Sequence, residues 1–202
     1  MKSVITIGRQ FGCGGRTICK RLSEELNIPF YDRELIEYAA TKSGISSEVL
    51  EQYDEKATNS LLYSLSVSAF SYAGAGINAP QLPLNDRLFI SQSEVIKQLA
   101  DEGPCIILGR CSDYVLRDRD DVLKVFVHCD EPSRIKNVSA RLGIPENKAK
   151  DIIKKTEKRR ASYYNYYTHR KWGDLSYFDL AINSSLGLEK VVETIKSFYL
   201  HK

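Results

Sequence analysis

Val4-Ile5-Thr6-Ile7-Gly8-Arg9-Gln10-Phe11-Gly12-Cys13-Gly14-Gly15-Arg16-Thr17 is the stretch on which the fold is read. Val4 to Ile7 is a β-branched run suited to a strand. A glycine-rich turn follows. From 17 to 26 the apolar residues Ile18, Leu22 and Leu26 recur every fourth position, which is the face of a helix. Asn27-Ile28-Pro29 breaks that helix, Phe30-Tyr31 reads as a second strand, and 33–41 as a second helix. Strand, glycine turn, helix and strand in this order form a βαβ opening, which implies a parallel sheet.

The rest of the chain continues the alternation. Cys105–Leu108, Val122–His128 and Leu180–Asn183 are apolar with little alternation, as in strands covered on both faces. Helices are predicted over 46–57, 61–72, 85–100, Glu131–Leu142, 145–167 and Leu188–Leu200. The segment 73–84, rich in Gly, Ala and Pro, reads as a loop. There is no internal repeat and no linker between independent domains. The class is α/β, in one domain of 202 residues.

Composition excludes several classes. No apolar run approaches the roughly 20 residues that span a bilayer. The apolar start at Val4 to Ile7 is too short for a secretory signal. Net charge is +3, which argues against a nucleic-acid coat. Its distribution is uneven: residues 154–171 hold seven Lys or Arg and one acid, leaving 22 basic against 25 acidic residues elsewhere. A basic segment on a mildly acidic body points to a local anion site. The five cysteines, Cys13, Cys19, Cys105, Cys111 and Cys129, are odd in number and form no CxxC pair. They read as reduced thiols of a cytoplasmic protein. Cys13 reads as a small residue that fits a tight loop, in preference to a thiolate stabilised by the helix that follows. His128, His169 and His201 are too scattered for a metal site.

Glycines let backbone N–H groups converge on an anion, and the helix that follows adds its own free donors. Residues Gly12, Cys13, Gly14, Gly15, Arg16 and Thr17 are therefore the candidate phosphate cradle. The P-loop pattern G-x-x-x-x-G-K-[ST] fits in two registers, neither complete. In one, Gly15 stands at the lysine, Arg16 at the hydroxyl position and Arg9 at the leading glycine. In the other, Arg16 replaces the lysine and the leading glycine is misplaced. In both, Arg16 is the candidate cation and Thr17 the candidate Mg²⁺ ligand. A dinucleotide site would need an acid after the second strand, and Asp32 comes too soon.

Phosphoryl transfer needs cations around the moving group and alignment of its two partners. Arg33 and Arg110 follow predicted strands, at the sheet edge where open α/β folds bind ligands. Arg87 begins a predicted helix. Arg134 and Arg141 share one helix face, and Arg159 and Arg160 lie on the basic helix. Tyr163-Tyr164-Asn165-Tyr166-Tyr167 reads as packing of a helix end or as a homodimer contact, ahead of base stacking on single-stranded nucleic acid.

The ordered set Ile5 to Arg16, Pro29-Phe30-Tyr31-Asp32-Arg33-Glu34-Leu35, Pro83-Leu84-Asn85-Asp86-Arg87, Ile107-Leu108-Gly109-Arg110 and Asp179-Leu180-Ala181-Ile182-Asn183 resembles the cytidylate kinase-like family. The resemblance implies a P-loop fold with a five-stranded parallel sheet in order 2-3-1-4-5. It implies a core at 1–43 and 101–202, an inserted monophosphate-binding region at about 44–100, and a lid at about 134–171. It further implies ATP and Mg²⁺, with CMP or dCMP as the leading acceptor. Asp32, Arg33, Arg87 and Arg110 would face the acceptor, and Arg16, Arg134, Arg141 and Arg159 would act on the donor phosphates. The chain lacks the G-K-[ST] of cytidylate kinases and the carboxylates that flank their arginine after the third strand. A nucleotide-binding regulatory protein and a small-molecule kinase of the same fold are therefore the alternatives.

Overall fold

β1 (Val4–Arg9) is the middle strand of the sheet, and its sequence explains why. Val4, Ile5 and Ile7 are fully buried, so both faces of the strand need a covering layer. A computed structural model describes residues 3–32 and 83–200. Within them the strands β2 (Phe30–Tyr31), β3 (Cys105–Leu108), β4 (Val122–His128) and β5 (Leu180–Asn183) join β1 in the order β2-β3-β1-β4-β5. Every pairing is parallel, with Val4 opposite both Cys105 and Val122. The expected order and strand set are thus present in full.

Side chains alternate between the two faces. On one, Ile5, Ile7, Ile106, Leu108, Leu123 and Val125 pack against Ile18 and Leu22 of α1 (Gly15–Leu26) and Val191 and Ile195 of α6 (Leu188–Leu200). On the other, Val4, Cys105, Ile107 and Val122 meet Val95 and Ile96 of α2 (Leu84–Glu102) and Val115 of the short α3 (Ser112–Val115). α2 falls inside the region expected as an insertion, and it packs on the sheet through a fully buried pair. The rest of that region, the helices expected at 33–41, 46–57 and 61–72, nearly all of the loop 73–84, and Arg33 lie outside the described residues.

Helix boundaries have local causes. α1 begins at Gly15, two residues before the predicted start, because Gly14 takes a left-handed conformation (φ 73°) that turns the chain into the helix. α4 (Glu131–Leu142) has its predicted bounds. Asp130 caps it by accepting from Ser133 N at 2.8 Å, and Gly143 ends it in the left-handed region. α5 (Glu146–Thr168) follows Pro145 and stops at a left-handed His169. Val138, Ala149 and Ile153 weld α4 to α5.

The tyrosine run ends α5 inside the fold. Tyr163 and Tyr164 are buried, and Tyr167 stacks on Phe89 of α2 with centroids 4.2 Å apart. Their hydroxyls are committed: Tyr164 Oη donates to Asp113 at 2.7 Å and Tyr167 Oη to Asp86 at 2.8 Å. Packing, and not base stacking, occupies these rings.

Burial holds the Asp113 carboxyl above its ordinary range, against the pull of the Tyr164 hydrogen bond. Stability tied to Asp113 is therefore full below the usual carboxylate range and falls as pH rises through the folded value. Asp113→Asn should flatten that part of a stability profile measured by urea unfolding. Tyr164→Phe should cost about 1–3 kcal/mol in the same assay near neutral pH, since it strips a buried acceptor of its donor.

Candidate active site

The glycine turn sits at the carboxyl end of β1, under the α4–α5 pair. Five hydrogen bonds fix its first half. Gln10 N donates to Val127 O at 3.0 Å, and Cys129 N donates to Gln10 Oε1 at 3.2 Å, tying β1 to β4. Phe11 N donates to Glu157 Oε1, Asn137 Nδ2 donates to Gly12 O at 2.9 Å, and Arg160 Nη1 donates to Arg9 O at 3.1 Å. Helices α4 and α5 thus hold the loop by its backbone. Gly12 makes the close approach possible: its φ is +92°, and a Cβ there would lie 3.0 Å from Arg134 O.

The second half of the loop faces open space. A cleft of about 990 Å³ runs along Gly12 to Ile18 toward Asp32 and the end of β3. Its lining carries five cations, Arg9, Arg16, Lys20, Arg141 and Arg160, against one carboxylate, Asp32. α1 has no side-chain cap and no acidic residue in its first turn, so its N-terminal donors also bear on this cleft. Such an excess of positive charge over a helix N-terminus suits a polyphosphate.

The ring of Phe11 organises two of the cations. Arg141 lies 4.9 Å from its centroid and Arg160 5.4 Å. The ring fixes the position of both guanidiniums, and Arg160 spends one donor on Arg9 O. Arg16 is more exposed, at 54% of its side chain, and its Nε stands 3.7 Å from Asp32 Oδ2. Thr17 is exposed on the first turn of α1. Arg110 is buried to 6% exposure, and its pKa is pushed down to about 10. Burial is the largest cause. Arg9 and Arg160 push the same way, while Tyr163 and Asp32 oppose them.

Of the residues singled out from sequence, Gly12, Cys13, Gly14, Gly15, Arg16, Thr17, Asp32 and Arg141 line the cleft. Arg110 lies behind it. Arg134 does not line it: its backbone supports Gly12, and its Nε is buried without a hydrogen-bond partner. Arg159 is exposed outside the lining, and one step of helix rotation brings Arg160 in instead. Arg87 lies in the first turn of α2, outside the lining. Arg9, Phe11, Lys20, Asn137 and Glu157 are contributors that motif reading passed over. Arg9 shows in the sequence only as a charged residue at the end of the first strand, which does not reveal where its charge comes to lie.

All five cysteines are free and buried. Desolvation pushes the Cys13 thiol up to about 12, with Cys129 adding to the effect, so Cys13 is a neutral packing residue. Titration of native protein with an aromatic disulfide reagent at pH 8 should show no fast thiol, and five after unfolding. A fast-reacting Cys13 would contradict the burial. Gly12→Ala should lower stability by more than about 1 kcal/mol in thermal melts, from its strained φ and the contact with α4.

The comparisons with known proteins agree with this geometry. By sequence, no curated protein matches the chain. Among solved structures, a protein from Eubacterium ventriosum described as uncharacterized is 24% identical over the full length of both chains, with a TM-score of 0.74. Shikimate kinase from Bacteroides thetaiotaomicron is 13% identical, with 96% of each chain covered and a TM-score of 0.53. A gluconokinase from Sinorhizobium meliloti is 12% identical, covering 96% of this chain and 91% of its own, with a TM-score of 0.52. These likenesses show the fold, that of the P-loop kinases. A family model matches residues 4–186, from β1 to the turn before α6, and the chain belongs to the cytidylate kinase-like family.

Proposed function

We propose that the protein transfers a phosphoryl group from ATP to a nucleoside monophosphate, with CMP or dCMP as the leading acceptor. The observation that carries this reading is the cleft with five cations and one carboxylate at the free N-terminus of α1. Its volume of about 990 Å³ suits nucleotide-sized ligands. The donor phosphates would lie along Gly12 to Thr17, met by backbone N–H groups. Arg16 would contact them from the rim, and Arg141 from above. Asp32 and Arg110 would face the acceptor from the ends of β2 and β3, with Arg33 and Arg87 belonging to the same side. Arg134 and Arg159 would act through movement of the α4–α5 pair that brings them nearer.

Catalysis in such a site is alignment and charge stabilisation. The forked guanidiniums hold the equatorial oxygens, and the α4–α5 pair excludes water from the transferring group. Among the described residues, no three His, Cys, Asp or Glu side chains gather as a metal cage. The residues fit Mg²⁺ held chiefly by the nucleotide's own oxygens, with the Thr17 hydroxyl as the protein's ligand. When bound, that ion neutralises phosphate charge. The free thiols support a cytoplasmic location. Nucleotides are the partners this reading requires. No helix among the described residues is long and apolar enough to cross a membrane.

A second reading has one observation in its favour. Arg110 is flanked in sequence by Gly109 and Cys111, so neither adjacent position supplies a carboxylate to hold a cytosine amino group. Shikimate kinases and a gluconokinase share the fold, and a small hydroxy acid is the acceptor that second reading takes. Purified protein should be assayed with ATP–Mg²⁺ against the nucleoside monophosphates, shikimate and gluconate. Turnover of CMP or dCMP above the rest is the expected result. Turnover of a hydroxy acid alone would select the second reading, and tight nucleotide binding with no turnover would select a regulatory protein. Arg110→Ala should raise the KM for the acceptor about 10-fold or more with a smaller effect on the KM for ATP.

A further inference from the structure

The P-loop pattern carries a glycine at its first position and a lysine directly after its second glycine. α1 begins at Gly15, and Gly14 is its left-handed cap. With Gly14 as the second glycine, the pattern covers residues 9–16. The chain then departs from it at three positions: Arg16 stands at the hydroxyl position, and the other two departures are opposite in sense. A cation, Arg9, stands where the pattern has glycine, and Gly15 stands where the pattern has its cation.

These two positions touch. A Cβ on Gly15 would lie 3.0 Å from Arg9 Cγ and 3.3 Å from Arg9 Cβ. The root of the Arg9 side chain therefore fills the space that a side chain at residue 15 would need. From there Arg9 runs to the end of β3, where its guanidinium lies against Gly109. A Cβ at Gly109 would collide with Arg9 Nη1. The backbone end of the same residue is fixed as well, since Arg160 donates to Arg9 O. Arg9 lines the cleft together with the loop residues and Asp32.

We propose that Arg9 supplies, from the end of β1, the inner phosphate-binding cation that a lysine on the first turn of the helix supplies in the complete pattern. Gly15 leaves the space that the root of Arg9 fills, and Gly109, left-handed at φ +73°, leaves the space its guanidinium takes. The ligand class is the terminal phosphates of a nucleoside triphosphate. A guanidinium at the junction of the loop and the β3 edge has a fork wide enough to bridge donor and acceptor oxygens. Arg16, on the rim and exposed, is the outer cation. This inference rests on the phosphoryl-transfer reading above and gives its site a further catalytic residue.

The test measures binding of ATP and of inorganic tripolyphosphate by calorimetry, with folding followed by thermal melts. Variants are Arg9→Met, which fills the same space without charge, Arg16→Ala, and the double exchange R9G/G15K. Arg9→Met should fold and bind tripolyphosphate about 10- to 100-fold more weakly, as expected for the loss of a charge-assisted contact. Arg16→Ala should lose less. The double exchange should recover most of the affinity that Arg9→Met loses. Arg9→Met binding as tightly as the unaltered protein would overturn the proposal, and so would its failure to fold together with failure of the double exchange to bind. If the unaltered protein itself binds neither ATP nor tripolyphosphate, the phosphoryl-transfer reading falls. If it binds both in an Arg9-dependent way but turns over no acceptor, the Arg9 assignment stands without it.

Discussion

The Arg9 side chain lies in a slot between two α-carbons, those of Gly15 and Gly109, that have no room for a Cβ beside it. This packing joins the loop after β1, the first turn of α1 and the end of β3. The loop and α1 belong to the connection from β1 to β2, and the end of β3 opens the connection to β4. The root of the side chain packs against Gly15 and its guanidinium against Gly109, so one arginine spans the gap between α1 and the end of β3. Gly12 plays the matching part on the opposite side of the loop, where the backbone of α4 comes as near as a missing Cβ allows. The cleft is what remains between these two close approaches.

Charge follows the same division. The basic segment 154–171 splits across α5: Arg160 turns into the cleft, and Lys154, Lys155, Lys158 and Arg159 remain exposed. The near-neutral total of the chain therefore conceals a concentrated field at one edge of the sheet. Within that field Arg110 is held buried beside Arg9 and Arg160, which lowers its pKa to about 10. At neutral pH it stays charged, so burial and like-charge repulsion are borne without loss of the cation. An anion entering the cleft would offset both effects, because it neutralises neighbours that now repel one another. Such a site is pre-organised: its donors are set before the ligand arrives and need little reorganisation when charge develops.

Much of this was legible in the sequence. Continuous apolar runs marked β3, β4 and β5, the i+4 repeat marked α1, and α4 has the bounds its capping residues suggest. Asp130 and Gly143 are local signals, and local signals survive folding. The phase of α5 was not legible. Arg159 and Arg160 are adjacent, and only packing of Ile153, Tyr163 and Tyr164 decides which of them faces the loop. The role of Arg9 was hidden for a different reason. A motif fixes the residue that stands at a position, while a phosphate responds to where a charge ends up. Nothing in the local sequence says that a side chain rooted on the strand will emerge at the first turn of the helix.

That difference bears on what the loop can do. A lysine at residue 15 would swing on a free stem from the helix and place a point charge over the loop. Arg9 has the root of its stem against Gly15, its guanidinium against Gly109 and its carbonyl held by Arg160, so its fork lies at the β3 edge. Confinement removes rotamer freedom before any ligand binds, which lowers the entropic cost of using the charge. It also restricts the cation to anions near both the loop and the β3 edge. A donor alone, lying far back on the loop, gains less from it than a donor and acceptor meeting at the junction. The missing lysine is thus compatible with a site that places its inner cation where two phosphates meet, and the glycine at residue 15 is the condition for that placement.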